Sequence, residues 1–293
     1  MSSIPELYVF LAFDYAQAEI RVLAEMSGDK LLIEQLNSGQ DIHSLVGHAL
    51  TGWSVERIKT EKNLRKMVKN MIFGTIFGLR RENLYPYIVT KIRQIDGENA
   101  DLTGITPKRV GKLYDKFFKV YTGVAAYIER QLYEADHSGF VETLFGFRSE
   151  VRADDETRGT YYGNQAINRP VQGSAHQFLL IALALLHLKP RTYNMLQTPV
   201  MEVHDSLLFR VLVRDLAKAH RQGSQLLSQG VVQYAARHFG VHMRVPMIAE
   251  ASAGFCMGSM VDYTGQPVAE FLPAWREKHL KVEEASWAKL KAA

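Results

Sequence analysis

The chain has 293 residues, 47% of them hydrophobic, so it is long enough for one large or two modest buried cores and is not expected to be disordered. Its net charge of +4 is only mildly basic, and the total charge alone does not identify a nucleic-acid-binding protein. A single cysteine, Cys256, excludes an intramolecular disulfide and fits a reducing compartment.

The first predicted element is a strand over residues 8–14, an apolar and β-branched run that ends at Asp14. Residues 18–26 then change to helical spacing, and Ser27-Gly28-Asp29 closes that segment. Helical patterns dominate residues 30–140, with a break predicted at 51–54 and a loop at 94–107.

Within this helical part, residues 64–79 carry a stripe of two cations and two aromatics. Arg65, Lys69, Phe73 and Phe77 recur every four residues, which places them along one slowly drifting helix face. Such a stripe could hold a triphosphate at one end and stack a base or sugar at the other. The surrounding segment, 57–93, contains ten cations against two acids. Charge alone would favour a solvated basic face, but the phosphate-directed stripe within the segment favours a polyanionic partner instead.

Three further elements are predicted towards the C-terminus. Residues 140–146 resemble a short strand or turn, 160–188 are strongly helical, and 245–252 form another strand. The longest apolar run, 178–188, is too short to span a bilayer and the N-terminus lacks a targeting pattern. We therefore expect a soluble cytoplasmic protein, or a viral protein acting in the host cytoplasm, with no membrane partner.

Residues 198–213 predict a hairpin with Asp205 at its tip. Asp14 and Asp205, 191 positions apart, thus each lie at the end of a strand. Two carboxylates brought by separate strands to one edge of a sheet can share a pair of Mg²⁺ ions, an arrangement suited to phosphoryl transfer.

Five stretches of this sequence, in order, resemble motifs of the family-A DNA polymerases, the bacterial DNA polymerase I type. They are Asp14 to Arg21, Arg65-x3-Lys69-x3-Phe73-Gly74-x2-Phe77-Gly78, Val141 to Gly146, Asn168 to Gly173, and Val203-His204-Asp205. The resemblance covers about residues 8–260. It implies an α+β fold, in which a right-hand palm with an antiparallel sheet and helices carries an inserted helical fingers domain.

The resemblance also predicts how the chain is divided. We expect the first part of the palm at 1–29, fingers at 30–138, the second part of the palm at 139–265 and a C-terminal helical tail at 266–293. No motif of a thumb or of a 3′–5′ exonuclease occurs, so we expect a split or truncated polymerase whose thumb and exonuclease lie on a second polypeptide. Apolar residues of the tail are candidate docking contacts: Phe271, Leu272, Trp275, Leu280, Val282, Trp287 and Leu290.

The resemblance assigns roles to individual residues. Asp14, Asp205 and the carbonyl of Tyr15 would hold two Mg²⁺ ions. Lys69 would face the α-phosphate and assist catalysis, while Arg65 and His43 would face the γ- and β-phosphates. Ser206 stands where the family usually has an acidic residue.

Further residues are expected around the nucleotide and the DNA. Glu19 resembles the residue that excludes a ribose hydroxyl, and Gln17 belongs to the same motif. Phe73 would pack on the sugar, and Phe77 replaces the tyrosine that stacks beside the template base. Residues expected to touch the minor groove of the primer-template are Arg148, Asn168, Gln172 and His204.

The expected function is template-directed addition of deoxynucleoside monophosphates from dNTPs to a DNA primer 3′-hydroxyl. Two alternatives stay open. A single-subunit RNA polymerase would share the aspartates and Lys69, but Glu19 and Phe73 count against it. A non-catalytic primer-template binding or assembly subunit would have no use for Asp14 and Asp205 beside phosphate-directed cations.

Overall fold

The computed structural model describes residues 7–76, 78–151, 161–196 and 199–292, and the chain divides into two compact units. The sheet unit comprises Met1–Ala18, Ala175–Met243 and Met247–Ala293, and the helical unit comprises Glu19–Ser174 and Arg244–Pro246. Each unit combines segments that are distant in the sequence. The predicted four-part division at residues 29, 138 and 265 stays a prediction.

Helices and antiparallel strands both contribute to the fold, which confirms the predicted α+β class. The strands are β1 Tyr8–Tyr15, β2 Phe140–Glu142, β3 Arg148–Glu150, β4 Pro199–Val203, β5 Ser206–Leu212, β6 Ala249–Gly254 and β7 Val261–Asp262. The helices are α1 Ala18–Ser27, α2 Lys30–Asn37, α3 Ile42–Thr51, α4 Val55–Thr60, α5 Lys62–Ile76, α6 Arg81–Asp96, α7 Pro107–Val120, α8 Thr122–Ser138, α9 Tyr161–Leu188, α10 Leu216–Gln225, α11 Val231–Phe239 and α12 Val268–Ala292.

The main sheet of the sheet unit has the order β4-β5-β1-β6-β7, with β1 at its centre. Alternate residues of β1, namely Val9, Leu11 and Phe13, are almost fully buried, as period-2 patterning requires of a sheet with one face on the core. Helix α10 packs on this face, where a Cβ on Gly223 would lie only 2.2 Å from the Phe13 ring. Gly223 therefore allows the helix to approach the strand closely.

The predicted hairpin at 198–213 is confirmed as β4 and β5. Val203 pairs with Ser206, so the connecting turn is His204-Asp205 and the aspartate lies at the tip. The predicted strand at 8–14 is confirmed as β1. The strand predicted at 245–252 is present as β6, but it begins only at Ala249 and extends to Gly254.

Several helices of the helical unit begin and end at ordinary capping residues. Asp29 and Asp41 accept hydrogen bonds from the backbone N–H groups of Leu32 and Ser44 at the starts of α2 and α3. Gly52 ends α3 in the left-handed conformation and Ser54 caps α4, which confirms the predicted break at 51–54.

Two local features differ from the sequence prediction. Helix α6 extends to Asp96, so the predicted loop at 94–107 is shorter and covers 97–106. The short strand predicted at 140–146 is β2, and it pairs with β3, a strand that the sequence patterns did not predict.

Helix α9 confirms the predicted helical segment at 160–188 and is long. Its part from Gly163 to Leu188 is long enough and apolar enough to cross a membrane. The most apolar stretch of this part has a mean hydropathy of 1.4, and 44% of that stretch is buried in the protein. Core helices of soluble proteins can be equally long and apolar, so this helix by itself does not indicate a membrane span. The expected absence of a membrane partner stays a prediction.

The C-terminal helix α12 packs on the sheet unit through its first turns. Phe271 is fully buried, with ring centroids 5.6 Å from Tyr263 and 6.5 Å from Phe255, and Trp275 lies 4.7 Å from Phe255. Phe271 is therefore a core residue and not the docking contact that we expected. Leu272 and Leu280 are exposed.

Candidate active site

The two predicted aspartates lie at one end of adjacent strands in the sheet unit. Asp14, near the end of β1, pairs with Ser206 of β5 on one side and with Glu250 of β6 on the other. The backbone N–H of Tyr15 donates to the carbonyl oxygen of Asp205 at 3.2 Å. The hairpin turn thus brings Asp205 beside Asp14, as the strand-end pattern predicted.

This end of the sheet is short of positive charge. Burial raises the pKa of Asp14, and the carboxylates of Asp205 and Glu250 raise it further, although the Tyr15 backbone N–H acts in the opposite direction. No ion pair of Asp14, Asp205 or Glu250 with a cation occurs among the described residues. Like charges on directly opposed strands are destabilising unless a cation lies between them.

The donor set suits a hard divalent cation, since carboxylate oxygens are the ligands that Mg²⁺ prefers. In the part of the chain that the structure describes, no group of three or more His, Cys, Asp or Glu side chains could hold a metal together. Because Mg²⁺ usually retains several waters and uses only one or two protein carboxylates, a two-aspartate set still fits it.

The backbone next to the two aspartates has an unusual conformation. Gln17 (φ 59°) and His204 (φ 53°) are the only non-glycine residues with positive φ in the described chain. This left-handed conformation is unfavourable for side chains with a Cβ, and such outliers are common at functional sites. Tyr15, between Asp14 and Gln17 in the chain, is buried, and burial followed by the charge of Asp205 raises the pKa of its hydroxyl.

The cationic stripe lies on α5 in the helical unit. Leu64, Val68 and Met71 bury one face of this helix, whereas Arg65 and Lys69 are exposed on the other and Phe73 is half-buried. The predicted helix and its exposed cations are therefore confirmed for this part of the stripe. Phe77 lies outside the described residues.

His43, from α3, joins this stripe. Its ring centroid is 6.0 Å from that of Phe73, its side chain is 5% exposed, and no described group hydrogen-bonds its Nδ1 atom. Burial lowers the pKa of His43 to about 4, with Lys69 and Arg65 acting in the same direction and Asp41 against them. The imidazole is thus neutral at pH 7.

Asp41 is a residue of this cluster that the sequence analysis missed. Its Oδ1 accepts from Arg65 Nη2 at 3.1 Å, and its Oδ2 accepts from Arg65 Nε at 3.3 Å. Burial opposes the charge on Asp41, but hydrogen bonds from Ser44 and Arg65 outweigh it and lower its pKa. The sequence does show Asp41 at a helix start, two residues before His43. It does not show that Asp41 contacts Arg65, which is 24 residues away.

The remaining predicted residues lie on other elements. Glu19 is half-buried on α1, and its charge, after burial, raises the pKa of Tyr87. Arg148, on β3, is exposed and its Nε donates to Glu142 Oε2 at 3.0 Å. Asn168 and Gln172 lie one turn apart on α9, the first half-buried and the second exposed, and His204 is exposed in its turn.

Comparison with known proteins identifies relatives of this fold and sequence. The family model for DNA polymerase family A matches residues 2–257. DNA polymerase I of Chloroflexus aurantiacus is 33% identical over 202 residues, which are 68% of this chain and 20% of that protein. The thermostable DNA polymerase I of Thermus aquaticus is 29% identical over 233 residues, 78% of this chain and 26% of that protein.

A solved structure shares the fold. The chain matches the POL domain of Pol1 from M. smegmatis, in complex with DNA primer-template and dNTP, with a TM-score of 0.67 at 23% identity. The match covers 84% of this chain and 39% of that one. The predicted polymerase fold is thereby confirmed, and this chain spans about a fifth to a quarter of the length of the curated relatives it matches.

Proposed function

Because the chain belongs to DNA polymerase family A, we propose that it carries out template-directed DNA synthesis. In this reaction the 3′-hydroxyl of a DNA primer attacks the α-phosphate of a bound dNTP, a deoxynucleoside monophosphate is added, and pyrophosphate leaves. Membership of this family favours DNA synthesis over the single-subunit RNA polymerase and over a non-catalytic binding subunit.

The observation that carries the proposal is that Asp14 and Asp205 lie side by side at one end of the sheet, where the Tyr15 N–H donates to the Asp205 carbonyl oxygen. Burial and repulsion from Asp205 raise the pKa of Asp14, and a bound divalent cation would relieve this unfavourable charge. Asp14, Asp205 and the backbone carbonyl of Tyr15 would hold two Mg²⁺ ions. When bound, these ions would lower the free energy needed to deprotonate the primer hydroxyl and would offset charge on the phosphates.

The exposed face of α5 would bind the nucleotide. Lys69 and Arg65 offer cationic donors to the α- and γ-phosphates, and neutral His43 offers a hydrogen bond to the β-phosphate. Phe73 would contact the sugar and Phe77 would stack beside the template base. Glu19, together with Gln17, would exclude a ribose 2′-hydroxyl, since an analogue that adds a group to a filled site is rejected.

The primer-template is the proposed macromolecular partner, as in the M. smegmatis relative, whose structure contains DNA and dNTP. Arg148, Asn168, Gln172 and His204 would contact the minor groove, where the acceptor groups are similar for every base pair. Polar side chains there can test pairing geometry without selecting a sequence.

We further propose that the chain is the catalytic part of a split or truncated polymerase that acts in the cytoplasm. A second polypeptide would supply a thumb and a 3′–5′ exonuclease. The proposed division of labour follows the predicted segments, with palm at 1–29 and 139–265, fingers at 30–138 and the tail at 266–293.

A primer-extension assay with dNTPs, and in parallel with NTPs, tests the function. We expect extension with dNTPs, and a loss of at least about 100-fold for Asp205→Asn, which removes charge without changing shape. Glu202→Gln is the matched control. Glu202 lies in the same hairpin, but it pairs with Leu207, which is not a cross-strand neighbour of Asp14. Equal activity of wild type and Asp205→Asn, or extension with NTPs alone, would contradict the proposal.

A further inference from the structure

Arg65 has an anionic partner within the chain itself. Two of its nitrogen atoms, Nε and Nη2, donate to the two carboxylate oxygens of Asp41 at 3.3 and 3.1 Å. This fork-to-fork geometry is the one by which arginine binds a phosphate group. A phosphate that uses the same guanidinium edge must therefore replace Asp41.

The two partners differ in how many contacts hold them in place. Asp41 is the N-cap of α3, where its Oδ2 accepts from both the backbone N–H of Ser44 at 3.1 Å and the Ser44 hydroxyl at 2.6 Å. Its side chain is 21% exposed, against 44% for that of Arg65. The carboxylate is thus fixed at the start of a helix, whereas the arginine side chain can move.

We propose that Asp41 is the resting partner of Arg65 and that Arg65 exchanges this carboxylate for the terminal phosphate of the incoming nucleotide. This inference rests on the proposed function. Asp41 is then a positioning residue: it holds the guanidinium ordered beside His43 and competes with the phosphate. A ligand that has no phosphate at Arg65 leaves the ion pair intact.

The exchange predicts a specific pattern of ligand affinity. Removal of the Asp41 charge should strengthen the binding of a triphosphate, since Arg65 no longer has to leave an ion pair. Exposed ion pairs of this kind are worth little, so the gain should be roughly two- to fivefold. The binding of a monophosphate, which does not reach Arg65, should change much less.

The experiment measures dissociation constants of dATP and dAMP by calorimetry on the full chain. Asp41→Asn is the informative variant, because asparagine caps a helix about as well as aspartate and so preserves α3. Asp96→Asn is the matched control: it releases Lys66, the next residue on α5, from its ion pair and leaves Arg65 untouched. Asp41→Ser provides a second capping variant in case Asp41→Asn does not fold.

We expect Asp41→Asn to bind dATP two- to fivefold more tightly, with little change for dAMP and none for Asp96→Asn. In an Arg65→Gln background the effect of Asp41→Asn should vanish. If Arg65→Gln weakens dATP binding but Asp41→Asn does not strengthen it, the exchange is wrong and the proposed function stands. If Arg65→Gln itself has no effect on dATP binding, the proposed triphosphate site is wrong.

Discussion

Asp14 is placed where its charge is unfavourable in the absence of a cation. Its cross-strand neighbour on β6 is Glu250, and Asp205 lies in the turn before its other neighbour, Ser206. Burial and both carboxylates raise its pKa, so the native chain loses stability relative to the unfolded chain as the pH rises through the normal titration range of an aspartate. A residue kept under such conditions is typical of a functional site.

Asp14→Asn should therefore stabilise the protein in a chelating buffer at pH 7 while abolishing nucleotide addition. Directly opposed like charges are unfavourable, and we expect a gain of about 0.2–1 kcal/mol in the free energy of unfolding. Urea denaturation monitored by circular dichroism measures it. Asp262→Asn is the control, since Asp262 pairs across the sheet with uncharged Ser252 and should show no gain. A destabilised Asp14→Asn would contradict the prediction.

His43 should make the protein sensitive to mild acid. In the unfolded chain its pKa is 6.5, whereas burial lowers it to about 4 in the native state. The unfolded chain therefore binds this proton first, and stability is lost as the pH falls from about 6.5 to about 4. The loss amounts to roughly 3 kcal/mol from this residue.

The comparison of wild type with His43→Gln isolates this contribution. The free energy of unfolding of His43→Gln should fall less over that pH interval, by about the stated amount. Urea titrations at a series of pH values provide the measurement. Parallel pH profiles for the two proteins would show that His43 does not hold its neutral form in the native state.

At the residue scale, the sequence predicted side chains whose position follows from local periodicity. Asp14 and Asp205 each end a strand pattern, and Arg65 and Lys69 follow from the helical repeat of α5. Asp41 could not be assigned to Arg65, because that contact depends on how α3 packs on α5. The positive φ of Gln17 and His204 was also invisible, since neither residue is a glycine or an asparagine.

At the element scale, the close approach of α10 to β1 depends on Gly223. A Cβ there would overlap the Phe13 ring at 2.2 Å. Gly223→Ala should therefore destabilise the sheet unit by about 1–3 kcal/mol, the usual effect of overpacking a core. Thermal or urea denaturation checks it.

Gly258→Ala is the control for Gly223, because nothing lies within 4 Å of its added Cβ. It should change stability by no more than about 0.5 kcal/mol. Combining Gly223→Ala with Phe13→Leu should recover part of the loss, since the smaller side chain vacates the overlapped space. A neutral Gly223→Ala would mean that α10 can shift away from β1 at little cost.

The C-terminal helix has two adjacent large apolar residues with opposite surroundings. Phe271 is fully buried against Tyr263, whereas Leu272 is 38% exposed. Phe271→Ala should destabilise the protein by about 3–5 kcal/mol, and Leu272→Ala by no more than about 0.5 kcal/mol. Urea denaturation of the two variants measures these effects. Equal, small losses of stability would contradict the packing of this helix on its own sheet unit and would favour a helix that is free to dock elsewhere.

Elements were predicted well where the pattern has a clear period. The alternation in β1, the hairpin around Asp205 and the long helix α9 all follow from it. Strand β3 was missed because its three residues, Arg148 to Glu150, are polar and its strand character comes from pairing with β2. Helix α10 received no prediction from its sequence, and its site of packing on β1 depends on the tertiary contact with Phe13.

At the scale of the whole molecule, the basic segment 57–93 is less basic in the structure than in the sequence. Arg57, Arg65, Lys66 and Arg81 form ion pairs with Glu61, Asp41, Asp96 and Asp115. At least four of the ten cations are thus paired within the helical unit. Three of these acids, Asp41, Asp96 and Asp115, lie outside the segment. The charge excess counted within 57–93 therefore overstated the number of cations available to a polyanion.

This internal pairing limits how strongly salt should weaken the binding of a primer-template. Each phosphate neutralised by a cation contributes about 0.9 to the slope of log affinity against log salt concentration. Without the four paired cations the segment would give a slope of at most about −5, against about −9 for all ten. Fluorescence anisotropy of a labelled primer-template across a salt series measures the slope, and a variant in which Asp96→Asn releases Lys66 tests the pairing directly. A wild-type slope near −9, unchanged by Asp96→Asn, would show that DNA displaces these acids and that the ion pairs do not persist in the complex.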